Sequence, residues 1–185
     1  MREFSVPVMV EVPDSASLTD APFTRAAKEP GAIVARRKSG DAWSAVTAAE
    51  FAGEITAAAK GLVAAGIEPG DRVGLLARTL YEWTILDYAI WAAGAVSVPI
   101  YETSSAEQIE WIVGDSGAKA LFVETEEPVA RAEEVRKRLP DLAHVWTIDA
   151  GGVEEVGRLG ADVGDDVIEE RRTSLGGADL ATLVY

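Results

Sequence analysis

The chain has 185 residues, 48% of them apolar and 26% charged, the proportions of an ordinary folded domain long enough to bury a core. Its 17 Lys and Arg face 31 Asp and Glu, a net charge of −14, with the excess concentrated after residue 100 (8 basic against 19 acidic residues there). A surface this acidic repels phosphate backbones and argues against nucleic acid as a partner, and the absence of cysteine excludes disulfides, thiol nucleophiles and thiolate metal sites.

Met1-Arg2-Glu3-Phe4 lacks the basic-then-apolar layout of a secretory leader. The first thirty residues predict an extended arm and a short helix whose apolar face is Leu18, Phe23 and Ala27. Ala32–Arg37 and Ala42–Val46 predict two short strands joined by the turn Ser39-Gly40-Asp41. Thr47 then opens a helix with Glu50 three residues on, the spacing of a capping box. Phe51, Ile55, Ala59, Leu62 and Val63 share one face of that helix, and Gly66 stops it.

Glu68-Pro69-Gly70-Asp71 reads as a turn and Val73–Ala77 as a short apolar strand. Thr79 and Glu82 predict a second capping box, opening a helix to about Ala93 that is apolar nearly all round. Between Glu82 and Glu102 the only charge is Asp87. Gly94 and Pro99 interrupt that stretch, whereas a membrane-spanning helix needs about 20 unbroken apolar residues. The expectation is therefore no transmembrane segment and a cytoplasmic protein, with peripheral membrane contact left open.

Ala95–Ile100 predicts a strand, Ser105 to about Gly114 a helix, and Ala118–Val123 a strand. Pro128 suits the first turn of a helix carrying Val129, Ala132, Val135 and Leu139, and His144–Ile148 is a further strand. Residues 149–178 are acidic, weakly amphipathic and the most loop-like stretch. Asp179–Tyr185 then reads as a final buried strand. Short apolar strands alternating with helices predict an α/β fold: an open, mostly parallel sheet with helices on both faces, after a short N-terminal helix and hairpin. The expected organisation is a single unit over 1–185, with the arm, helix and hairpin in 1–46 and the α/β core in 47–185.

Motifs that carry chemistry are few. Gly114-Asp115-Ser116-Gly117 looks like a serine-nucleophile segment, but that chemistry needs a histidine base, and nothing around His144, the only histidine, resembles one. No G-x-G-x-x-G spacing occurs, which disfavours a dinucleotide site. Gly151-Gly152 reads as a simple turn, because Glu154 and Glu155 beside it repel anions. Arg136-Lys137-Arg138 sits where cations complement a helix C-terminus. Asp165-Asp166 and Glu169-Glu170 read as a solvated face. No metal site is expected.

Several stretches, in order, resemble the N-terminal part of the adenylate-forming (AMP-binding) enzymes, and within them the long-chain fatty acid–CoA ligases. They are Gly66-Ile67-Glu68-Pro69-Gly70-Asp71-Arg72-Val73, Tyr81-Glu82-Trp83 with the helix to Gly94-Ala95-Val96, Val98-Pro99-Ile100-Tyr101-Glu102-Thr103-Ser104-Ser105, Asp115-Ser116-Gly117-Ala118-Lys119, and Asp179–Tyr185. In that family the last stretch runs into the ATP phosphate loop.

The resemblance implies a two-step reaction. A fatty acid carboxylate attacks the α-phosphate of Mg-ATP to give acyl-adenylate and pyrophosphate; CoA thiol then displaces AMP to give acyl-CoA. ATP, Mg2+ and CoA are implied for the full-length enzyme, with none expected to bind these residues tightly. The phosphate loop, the nucleotide contacts and the mobile lysine belong to later parts of the family's chain, so no catalytic residue is carried over and these residues alone are expected to be inactive.

Tyr185 would border the phosphate loop, and Tyr101, Glu102 and Thr103 lie just past a strand's carboxyl end, as crevice-lining residues do. A fatty acyl–AMP ligase or the adenylation part of a larger synthase is the alternative within the class. A non-catalytic α/β binding or interaction module is the alternative outside it. A piece of a larger enzyme would expose apolar surface and could self-associate through it.

Overall fold

The computed structural model describes residue 6 and residues 10–185; most of the arm's first residues lie outside this range. Helix α1 spans Asp20–Lys28, and β1 (Ile33–Ser39) pairs antiparallel with β2 (Ala42–Thr47) in the expected hairpin. The face of α1 differs from the expected one. Leu18 precedes the helix and is 56% exposed, and Ala27 is exposed too. The inner face is Pro22 and Phe23, with the Arg172 guanidinium 4.5 Å over the Phe23 ring. Leu18 falls outside the stripe because the helix starts only at Asp20, and the covered part of the face lies in its first turn, at 22 and 23, and does not extend to Ala27.

Helix α2 (Ala48–Ala64) is capped as its sequence requires. The Glu50 amide donates to Thr47 Oγ1, and the Thr47 amide donates to Glu50 Oε2. Its face of Ile55, Ala59 and Leu62 is fully buried. Gly61 lies where α2 meets a later helix so closely that a Cβ would fall 1.9 Å from the Val156 carbonyl oxygen.

The core is a sheet of four parallel strands: β3 (Arg72–Leu76), β4 (Val96–Ile100), β5 (Ala118–Val123) and β6 (His144–Thr147), in the order β4-β3-β5-β6. Helices α3 (Tyr81–Ala92), α4 (Ala106–Ser116) and α5 (Glu126–Arg136) connect them. With α2, α3 covers one face, where Ile55, Leu86 and Ile90 meet Leu75 and Phe122; α4 and α5 cover the other, where Ile109 and Ala132 meet Val98 and Leu121. Burial on both faces explains why the central strands read as continuous apolar runs. The side chains of Pro128, Val129 and Val135, three residues of the expected α5 pattern, lie outside the described set.

Three further expectations are corrected. Helix α3 begins at Tyr81 with Leu80 as its cap and no side-chain capping bond, so there is no Thr79–Glu82 box. Glu82 instead pairs with Arg37 of the hairpin, whose guanidinium also lies 4.6 Å over the Tyr81 ring. This tertiary ion pair takes up the carboxylate that a local cap would have used.

The stretch 149–178, expected to be loop-like, holds α6 (Gly152–Leu159) and α7 (Asp165–Thr173). Val156 and Ile168 are their buried anchors, single apolar residues too sparse to produce a strong periodic signal. Asp179–Tyr185 is not a buried strand either. It makes one parallel bridge, Thr182 to Ser97, on the outer edge of β4, and Leu180 and Val184 are 57% and 80% exposed. Its one described strand bridge is to β4, so apolar composition alone did not make it an interior strand.

Among the described residues no helix is long and apolar enough to cross a membrane.

Candidate functional site

Parallel strands align all their carboxyl ends at one pole of the sheet, and ligands of open α/β folds bind there, where successive connections leave to opposite faces. Here α3 follows β3 on one face while α5 follows β5 on the other, so the switch lies between the neighbours β3 and β5. The residues just past these two strands are Arg78 and Glu124. The Arg78 amide donates to Glu124 Oε2 at 2.8 Å and its Nε donates to Oε1 at 2.7 Å, while Nη2 also bonds Oε1.

Glu124 is 3% exposed. Its hydrogen bonds from Arg78 outweigh its burial and hold its carboxyl below the usual glutamate range. Its backbone joins the strands too: its amide donates to the Leu76 carbonyl and its carbonyl accepts from the Asp149 amide.

Beside this pair is a cavity of about 390 Å3, lined by the β3–α3 turn, the β4–α4 turn and the last two residues. Arg78 and Thr79 form one wall, Trp83 and Pro99 the apolar floor, and Tyr101, Glu102, Val184 and Tyr185 the other wall. Three of the four sequence-predicted residues, Tyr101, Glu102 and Tyr185, thus meet in one cavity. Thr103 is exposed on the same turn and does not line it. Tyr101 is 76% exposed. The Tyr185 hydroxyl donates to Asp115 Oδ2 at 2.8 Å, and its ring meets Trp111 edge-on at 5.2 Å. Burial first, and then the Asp115 carboxylate, raise its phenol pKa.

The turn 101–104 is held from α5. Arg131 Nη1 donates to the Ser104 carbonyl, and Nη2 donates to the Glu102 carbonyl at 2.7 Å and to Glu127 Oε2 at 2.9 Å. Sequence reasoning missed Arg78, Glu124 and Arg131. A faint signal existed for the first two: each is the first charged residue after an apolar strand, the position that faces a carboxyl-end crevice. Arg131 sits in a charged helix and gave no signal.

The other candidates have structural partners. His144 Nε2 lies 3.0 Å from the Ala65 carbonyl, and its ring stacks on Trp146. Arg138 grips Glu110 through two bonds of 2.7 Å, and Arg136 pairs with Glu133. Gly151, at φ +82°, caps α6. A wider cleft of about 470 Å3 between α2, α6 and α7 is a packing seam of Gly53, Gly157 and Gly160, whose cation Lys60 is paired with Asp165 at 2.5 Å. Among the described residues no group of three acidic or histidine side chains is placed to hold a metal ion.

A profile of the AMP-binding enzymes matches residues 23–185. The chain belongs to the AMP-binding enzyme family. Over its whole length it is 41% identical to the long-chain-fatty-acid–CoA ligase FadD15 of Mycobacterium bovis and 40% identical to that of Mycobacterium tuberculosis, while spanning 31% of each relative's length. The N-terminal domain of FACL13 from Mycobacterium tuberculosis superposes with a TM-score of 0.66 at 27% identity, over 76% of this chain and 35% of that one. A Mycobacterium tuberculosis fatty acyl CoA synthetase shares the fold, with a TM-score of 0.73 at 24% identity over 90% of this chain and 32% of that one. In this AMP-binding enzyme chain, then, the carboxyl-end crevice carries an arginine–glutamate pair at its switch and two tyrosines on one wall.

Proposed function

We propose that these residues are the N-terminal part of a long-chain fatty acid–CoA ligase, which converts fatty acid, ATP and CoA to acyl-CoA, AMP and pyrophosphate through an acyl-adenylate. The observation that carries this reading is the 41% identity to FadD15 along the entire chain. The arm, helix and hairpin (1–46) and the α/β core (47–185) then serve as scaffold, and Tyr101, Glu102 and Tyr185 as one wall of the substrate or cofactor crevice, with Thr103 at its lip. Its position at the strands' carboxyl ends supports that role.

The described residues offer little to a triphosphate or its metal. The Arg78 amide, where a phosphate-binding turn after β3 would begin, is already bonded to Glu124, and no metal-holding cluster accompanies it. Phosphoryl chemistry depends on positioning and charge stabilisation by such groups, so no step is assigned to this chain's side chains. Catalysis requires the rest of the relatives' length.

The test uses two proteins. The 185-residue chain should show no fatty-acid-dependent ATP–pyrophosphate exchange. The same sequence extended in its natural reading frame to the relatives' length should release AMP and form acyl-CoA from palmitate, ATP and CoA. Acyl-adenylate accumulation without acyl-CoA would assign it to the acyl–AMP ligases instead, and exchange by the short chain would overturn the division of labour.

A further inference from the structure

The hairpin differs in charge from the rest of the molecule. Residues 31–47 hold three basic residues, Arg36, Arg37 and Lys38, against the single acid Asp41, a local charge of +2 (3 − 1) in a chain whose net charge is −14. The strand pairing sorts these side chains onto two faces. Residues directly opposite on paired strands point the same way, and neighbours along a strand alternate.

Arg37 opposite Ser44 and Ala35 opposite Val46 belong to the inner face: Arg37 pairs with Glu82 and lies over the Tyr81 ring, and Val46 is buried. Lys38 opposite Trp43 and Arg36 opposite Ala45 belong to the outer face, and all four are exposed. Trp43 is 61% exposed, and past the register shift between Ile33 and Ala35, Ile33 and Val34 are 56% and 41% exposed. Among the described residues neither Arg36 nor Lys38 has an ion-pair partner, and β2 pairs with β1 alone.

We propose that this outer face is a docking surface for an anionic lipid bilayer. Charge complementarity carries the proposal: two cations and no acid share a face with a tryptophan and β-branched side chains. Cations near an anionic leaflet are attracted to it, and tryptophan prefers the headgroup level, where one end of its ring system is apolar and the other wet.

The ribbon's size favours a bilayer over an acidic protein. Two strands are about 10 Å wide and seven residues about 24 Å long. Such a face covers a few hundred Å2, short of the roughly 800 Å2 per partner of a stable protein interface. A fluid lipid surface needs no matching shape. The acidic excess of the chain lies outside the hairpin, mostly after residue 100. Charges more than about 10 Å from the surface are largely screened at 0.1 M salt, so the acidic body orients the chain with its hairpin toward the bilayer.

The hairpin is anchored at the crevice pole. Tyr81 and Glu82, which hold Arg37, open α3 directly before Trp83 of the crevice floor. Docking there brings a source of apolar substrate to the crevice side of the molecule. That functional meaning rests on the ligase reading; the docking itself does not.

The experiment is co-sedimentation of the 185-residue chain with vesicles at low salt. Vesicles of equal parts phosphatidylglycerol and phosphatidylcholine should carry the chain down, and vesicles of phosphatidylcholine alone should not. Binding should disappear at about 1 M salt, where the Debye length is about 3 Å. Arg36→Gln combined with Lys38→Gln should weaken it about thirtyfold, the effect of two cations near an anionic surface. Trp43→Ala should weaken it about tenfold.

Equal binding to both kinds of vesicle, binding to neither, or variants that bind as tightly as the wild type overturns the proposal. So does capture by immobilised polyglutamate without vesicle binding, which assigns the face to an acidic protein. Should a variant fail to fold, hydrogen exchange of the wild type decides: anionic vesicles should slow the amides of 42–45 and leave those of α7 unchanged, and the reverse overturns it. No readout involves substrate or nucleotide, so failure here and failure of the ligase reading are distinguishable.

Discussion

Glu124, at the end of β5, accepts both the backbone amide and the guanidinium of Arg78, at the end of β3, and so bridges the two strands where the sheet changes direction. The bridge is lopsided: the carboxylate side chain is 4% exposed and the guanidinium side chain 64%. The buried partner is thus fully committed, while the exposed one retains surface toward the cavity.

That asymmetry sets the effect of Glu124→Gln. The amide retains shape and one acceptor but loses the charge-assisted bonds, at a cost of about 1–2 kcal/mol at pH 7, a figure already reduced for the solvent around Arg78. The Glu124 carboxyl is held below its ordinary value in the folded chain, so its contribution is present above that ordinary value and is lost as pH falls through the folded one. Urea melts of both proteins at pH 7 and pH 3 should show the gap narrowing in acid. An equal gap at both would mean that the charge contributes nothing.

Gly61→Ala tests the closest helix contact. The added Cβ would sit 1.9 Å from the Val156 carbonyl oxygen, an atom of backbone rather than of a flexible side chain, so α2 and α6 must separate. Despite alanine's higher helix propensity, the variant should lose about 2 kcal/mol or more, as overpacked sites do. A thermal melt at or above the wild-type midpoint would contradict this packing.

Arg131→Met keeps the aliphatic stem and removes the bonds to the Glu102 and Ser104 carbonyls. The expected cost is about 1–2 kcal/mol, with the Ser104 and Ser105 amides exchanging faster while those of β3 stay protected. Uniform loosening of the whole sheet would show that Arg131 supports the fold rather than the turn.

Tyr101→Ala and Glu102→Ala belong in the longer protein described above. Neither residue is deeply buried, so stability should change by less than about 0.5 kcal/mol. Palmitate-dependent kcat/KM should fall about tenfold for each, the equivalent of about 1.4 kcal/mol in the transition state. Unchanged kinetics in both would remove this wall from the substrate crevice.

The sequence by itself determined the order and kind of the elements from the hairpin to β6, because strand and helix periods, the Thr47–Glu50 cap and the Glu68–Asp71 turn are short-range properties of consecutive residues. It also carried the family, through motifs quoted in order along the chain, and it placed Tyr101 and Glu102 just past a strand's carboxyl end.

Tertiary structure alone decided the rest. Arg78 meets Glu124 across 46 residues only because β5 inserts beside β3, and Arg37 meets Glu82 only because the hairpin folds onto α3, taking the carboxylate from its expected cap. Asp179–Tyr185 has the composition of a buried strand but makes one described bridge, to β4, and no described strand pairs with its other edge. Strand order and neighbouring layers set which polar groups meet and which apolar ones stay in water, and neither is encoded in the periodicity of any single segment.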